Sequence, residues 1–251
     1  MKLKKLASLL TPIALALSAT TASADFIGVY TGAAYWSPSF GGEFRSEDSN
    51  TGMIDVDDDL SYSADPANSF YLAFEHPIPL LPNVRIERTN LAHSSDSTLS
   101  RTIEFNGKSY TQGSDINSNF DLTHTDWTAY YEFLDDTLWL SLDAGVTLRV
   151  FDGKVRIENE DLGLNVFTPM MYGKADVFIP GTDLSVGGMI NYINIGDVIM
   201  ADRRAYIAYE SPFRVGAELG YRSFDFEIDS IDNLDADFSA SGFYGAVTLH
   251  L

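Results

Sequence analysis

Between Thr125 and Phe151 every second residue is apolar. Trp127, Ala129, Tyr131 and Phe133 share one face, and Asp126, Thr128, Tyr130 and Glu132 share the other. After Asp135-Asp136 the alternation resumes. Leu138, Leu140, Leu142, Ala144, Val146, Leu148 and Val150 form one face. Trp139, Ser141, Asp143, Gly145, Thr147 and Arg149 form the other. A period of two is the mark of a pleated strand, whose successive side chains point to opposite sides. A two-residue turn at Asp135-Asp136 keeps the apolar faces together and predicts Glu132 opposite Trp139.

The same alternation predicts eight further strands, over 26–36, 69–76, 84–91, 167–179, 184–194, 203–210, 214–226 and 238–251. The connections alternate in length. Long polar stretches follow the first, third, fifth, seventh and ninth strands, at 37–68, 93–119, 152–165, 196–202 and 229–237. Short turns follow the others, including Pro77-Ile78-Pro79-Leu80-Leu81-Pro82-Asn83 and Pro180-Gly181-Thr182-Asp183. A soluble sandwich gives no reason for this alternation. A membrane barrel does, with long loops outside and short turns in the periplasm. The fold class expected is all-β: a closed antiparallel up-and-down transmembrane β-barrel of about ten strands. Within the second long stretch, Ile103 to Tyr110 reads as a hairpin about Asn106-Gly107, standing above the membrane.

The N-terminus changes the picture of where the barrel resides. Lys2, Lys4 and Lys5, an apolar run from Leu6 to Leu17, and Ala22-Ser23-Ala24 together read as a secretory signal peptide. Residues 1–24 are the signal peptide and 25–251 the barrel, bound for the cell outer membrane. Cleavage removes three lysines and no acid, taking the formal charge from −20 to −23. Such acidity excludes nucleic acid as a partner. It suits a surface where divalent cations bridge anionic groups. Cysteine is absent, so there are neither disulfides nor thiolate metal sites. Neither a metal nor another cofactor is implied. The 16 Phe, 13 Tyr and 3 Trp fit aromatic girdles at the membrane interfaces.

Several segments carry a resemblance. Asp25-Phe26-Ile27-Gly28-Val29-Tyr30 with Tyr35-Trp36, Glu75-His76-Pro77-Ile78-Pro79-Leu80-Leu81-Pro82-Asn83-Val84, Leu122-Thr123-His124-Thr125-Asp126 and Gly220-Tyr221-Arg222-Ser223-Phe224 span the mature chain. In these the chain resembles a family of uncharacterised small outer-membrane β-barrel proteins of Gram-negative bacteria. The resemblance implies the fold and carries over no activity and no functional residue.

The candidate chemistry lies on the inward parity. Glu75, Glu87, Asp126, Glu132, Asp143, Asp176, Glu210 and Glu218 meet Arg85, Arg149, Lys174, Arg204 and Arg222 there. Charges in a narrow lumen must find partners, so they are expected to plug it. The role this supports is a non-catalytic envelope protein, structural or passing small solutes slowly. Its partners would be outer-membrane lipids and lipopolysaccharide, the barrel-assembly machinery, and a small solute. A porin-like small-solute channel is one alternative. An outer-membrane hydrolase of lipid or peptide, using His124 and Asp126 as a general-base pair, is another. Asp55, Asp57, Asp58 and Asp59 read as solvated loop charge, and His93 as a loop residue.

Overall fold

A computed structural model describes residues 27–46, 48–62, 66–78, 80–134, 139–164, 167–231 and 234–251. The segment expected to be a signal peptide, the turn expected at Asp135-Asp136, and Pro79 lie outside the described residues. In chain order the strands are β1 (Gly28–Ser46), β2 (Ile54–Asp55), β3 (Ala67–Glu75), β4 (Asn83–Asn90), β5 (Ala92–Thr98) and β6 (Ile103–Phe105). There follow β7 (Lys108–Tyr110), β8 (Asp115–Asp121), β9 (His124–Glu132), β10 (Leu140–Phe151), β11 (Gly153–Ile157) and β12 (Glu160–Leu164). The last are β13 (Phe167–Phe178), β14 (Leu184–Ile195), β15 (Val198–Glu210), β16 (Val215–Ile231) and β17 (Leu234–His250).

Ten of these, β1, β3, β4, β9, β10 and β13 to β17, pair antiparallel with their neighbours. The β17–β1 pairing closes the ring. The parity read from the sequence holds. On β10 Val146 is 61% exposed, turned outward to lipid, while Thr147 beside it is 1% exposed in the lumen. Small inward residues make room for large ones. A Cβ on Gly187 would stand 2.6 Å from the Tyr206 ring, and one on Gly32 2.5 Å from the Tyr71 ring.

Register is where the expectation fails. Glu132 faces Asp143, not Trp139, and the Phe133 amide bonds the Leu142 carbonyl at 2.8 Å. The slip is four residues. Because four is even, every side chain keeps its face, which is why alternation alone could not detect it.

The strand ends toward the loops are also longer than expected. β1 continues to Ser46, β15 begins at Val198, β16 reaches Ile231 and β17 begins at Leu234. Above the membrane both faces of a strand meet different surroundings. The outward face turns polar (Ser37, Ser39, Ser239, Ser241), so the lipid alternation vanishes and the stretch imitates a loop. The connection after β14 is therefore a short hairpin on tall strands, and only two residues separate β16 from β17 in the sequence.

The remaining long stretches fold into a cap. β12, β11, β8 and β5 form a four-stranded sheet, β6 and β7 a separate hairpin, and β2 adds to β1. Asn106 and Gly107 take positive φ in the hairpin turn, at 49° and 73°, as a type I′ turn demands. The apolar residues of the cap, among them Ile54, Leu99, Ile103, Phe105, Phe120 and Ile157, are buried in one core continuous with the tops of the barrel strands, which contribute Phe44, Phe224 and Phe238. His93 is not in a loop but on β5, buried, its ring 4.5 Å from that of Phe40.

The acidic run of the first loop is structural in part. Asp55 Oδ1 accepts the amides of Asp57 and Asp58, and Asp59 is buried and paired with Arg101 at 2.5 Å. Asp235, expected in a loop, is buried on β17 and paired with Arg45 at 2.6 Å. Burial pushes the Tyr110 hydroxyl up to about 12, and it donates to the Ile157 carbonyl at 3.0 Å. The ring of Phe120 stacks on Phe238 at 4.7 Å. Phe120→Ala should loosen the cap by about 3 kcal/mol, the cost of emptying a buried aromatic site. Hydrogen exchange should accelerate in β5, β8 and β11 while the barrel keeps its heat-modifiable gel mobility.

Candidate functional site

The inward faces of the barrel strands place most of the predicted charges together in the lumen. The deepest layer is centred on Arg149 of β10. Its Nε and one terminal nitrogen donate to the two carboxylate oxygens of Asp126, at 2.7 and 2.6 Å. That nitrogen also donates to Asp202 at 2.7 Å. Asp202 in turn accepts from Arg222, at 3.0 and 2.7 Å. Arg149 and Asp202 are both 0% exposed. Two cations and two anions make a neutral, fully buried chain across β9, β10, β15 and β16. Aromatic faces complete it: Arg222 lies 4.8 Å from the Trp36 ring and Arg149 5.2 Å from that of Phe224.

Asp202 is the residue that sequence reasoning missed. The alternation of the sequence puts it in the loop before the eighth strand. Its parity with Arg204 and Tyr206 was the available signal, and β15 simply starts earlier.

A second layer lies toward the periplasm. Glu87 of β4 accepts from Arg204 of β15 at 2.5 Å and from Arg85 at 2.8 Å. In the ring order, β4 and β15 are five strands apart out of ten. The Glu87–Arg204 pair therefore bridges the full width of the lumen. Arg85 also stacks over the Tyr71 ring at 3.6 Å. Beside this layer, Thr128, Thr147 and Asn191 link β9, β10 and β14 through contacts of 2.8 and 2.6 Å.

Nearer the turns, Lys174 pairs with Asp176 at 2.7 Å, and the Tyr206 hydroxyl donates to Asp176 at 2.7 Å. Tyr130 donates to Glu75 at 2.7 Å, and Tyr244 to Glu218. Asp143 is buried opposite Lys174, and Glu132 is half-buried opposite Asp143. Glu210 does not join the network. It has the inward parity but ends β15 at the periplasmic rim, exposed, 3.7 Å from His250.

The predicted His124–Asp126 pair is not formed. Nδ1 of His124 hydrogen-bonds the Leu122 carbonyl at 2.8 Å, which assigns the proton to Nδ1. Its Nε2 has no hydrogen-bond partner among the described residues. The rings of Phe151 and Phe224 stand 5.3 and 5.7 Å from the imidazole. Both His124 and Asp126 are buried, beneath the cap. His124, Asp126 and Asp202 do bring one ligand atom each within 4.8 Å of one another. A divalent cation there would meet two guanidiniums already satisfying both carboxylates, and like charge disfavours it.

The closed ring of ten antiparallel strands, its lipid-facing apolar band and its charge-filled lumen define the class: an outer-membrane-type β-barrel. Neither a protein-family model nor a curated protein matches the chain in sequence. Among solved structures, the outer-membrane protease OmpT of Escherichia coli superimposes with a TM-score of 0.50 at 9% identity, over 92% of this chain and 98% of that one. Neisserial surface protein A aligns over 91% and 99%, at 14% identity and a TM-score of 0.30. The toluene transporter TodX of P. putida aligns over 91% and 90%, at 10% identity and a TM-score of 0.28. At these identities the likeness reaches the fold alone.

Proposed function

We propose that the protein is a non-catalytic integral component of the outer membrane: a plugged barrel that anchors a folded, acidic cap at the cell surface. The observation that carries this is the Glu87–Arg204 bridge across the lumen, below the buried Arg149–Asp202–Arg222 chain. Ion pairs that span the bore occupy the space a solute would need, and their removal from water is offset only while they stay paired. The apolar core of the cap stands over the same bore. Outer-membrane lipids and lipopolysaccharide are the surroundings this reading gives the barrel, with the barrel-assembly machinery as its route of insertion.

The test is the conductance of refolded mature protein in a planar bilayer, with heat-modifiable gel mobility as the folding control. The folded protein should be silent. Discrete steps that change when Arg149 or Asp143 is neutralised would instead mean that the charges line an open path, which is the channel reading. The hydrolase reading has its own measurement, turnover of lipid or peptide lost on His124→Ala; the burial of that imidazole predicts no turnover to lose.

A further inference from the structure

The outward apolar band of the barrel is uneven around its circumference. With a strand rise near 3.3 Å and a tilt near 40°, each residue covers about 2.5 Å of membrane depth. On β10 the outward residues from Leu140 to Val150 thus cover about 25 Å, the height of a full apolar band. On β4 only Val84 and Ile86 are apolar and outward before Arg88, which is exposed and bonded to Thr125 at the outer boundary. From Val84 to Arg88 is about 10 Å by the same rise and tilt.

Register locates the shortfall. Val84 faces Ala129 of β9, and Ala129 faces Val146 of β10. Toward the periplasm β9 goes on to Tyr131, with Phe133 just past its end, and β10 to Ala144, Leu142 and Leu140. β4 has only Asn83 there, which is buried on the inward face. What stands in place of more strand is the β3–β4 turn, whose sequence from His76 to Asn83 contains no formally charged residue.

That turn is built to face outward. The hydroxyl of Tyr131, a residue of the lipid face, donates to the Leu80 carbonyl at 2.9 Å. The Asn83 side chain accepts the His76 amide at 3.0 Å, and His76 Nδ1 the Ile78 amide at 3.2 Å. Leu80 sits at φ 72°, in the left-handed region that glycine adopts freely and leucine does not. Leu80 is 89% exposed, and Ile78 and Leu81 are exposed with it. Among the described residues nothing covers this leucine, although the backbone holds it in a conformation leucine disfavours.

We propose that the β3–β4 turn is a membrane-embedded wedge, with Ile78, Leu80 and Leu81 among the acyl chains of the periplasmic leaflet, completing the apolar band where β3 and β4 end. Continuity with the lipid face through Tyr131 identifies phospholipid as the occupant. The chain has no cysteine, so one introduced thiol labels uniquely. A nitroxide on Leu80→Cys would be measured on mature protein refolded into phosphatidylethanolamine–phosphatidylglycerol vesicles. Collision with oxygen should dominate over collision with a water-soluble nickel complex, as at Val84→Cys and opposite to Thr182→Cys on the turn between β13 and β14. Leu81→Cys serves as a second site should the first variant not fold. Nickel-dominated relaxation at both sites would overturn the proposal. So would dipolar broadening between labels on separate molecules, which would make a second copy the occupant.

Discussion

Arg149→Met should destabilise the barrel by about 3–5 kcal/mol, because it leaves a carboxylate buried without its cation. Asp202 would keep Arg222 as a partner, whereas Asp126 would lose both of its charge-assisted bonds. The penalty is thus assigned to one group, and that assignment has a consequence. Arg149→Met combined with Asp126→Asn should recover most of the loss, since a buried pair replaced on both sides is close to neutral while a half-removed pair is not. Urea midpoints of the refolded protein in lipid vesicles, read by the heat-modifiable band, measure both variants. Equal destabilisation by the single and double variants would show that packing, not charge, holds this layer.

Removing the second layer should open the lumen from one side only. Glu87→Ala with Arg204→Ala deletes the bridge between opposite strands, and two long side chains give way to water. Thr147, 1% exposed in the parent barrel, reports on that space. A cysteine placed there should react with a charged thiol reagent about 100-fold faster in the double variant, the factor that corresponds to losing about 3 kcal/mol of local protection. The reagent should work from the periplasmic side, because the Arg149 layer and the cap stay closed above. Reaction from the outer side at the same rate would mean that the upper layer seals nothing.

Arg149 and Asp126 were placed on the inward face correctly because each needs only the parity of its own strand. Asp202 was lost because β15 rises above the membrane, where the outward residues turn polar and the alternation that marks a strand disappears. His93 and Asp235 were taken for loop residues for the same reason, in stretches where polar composition hides a buried apolar set. The β9–β10 register went wrong by an even number, the one error that leaves every face intact.

Alone, the amino-acid sequence determined the membrane-spanning parts of the ten barrel strands, their lipid and lumen faces and their number. Period-two alternation is a covalent property of a single pleated chain, so it survives without any knowledge of neighbours. Only the tertiary structure decided which charges meet. Glu87 and Arg204 are 117 residues apart, and their contact depends on ring closure and on the stagger of ten strands around it. The cap likewise exists only in three dimensions, where β5, β8, β11 and β12 from separate loops bury one another's apolar sides. The wedge at Leu80 belongs to both: its apolar residues are legible in the sequence, but its outward direction is set by Tyr131 on a strand that the turn does not join.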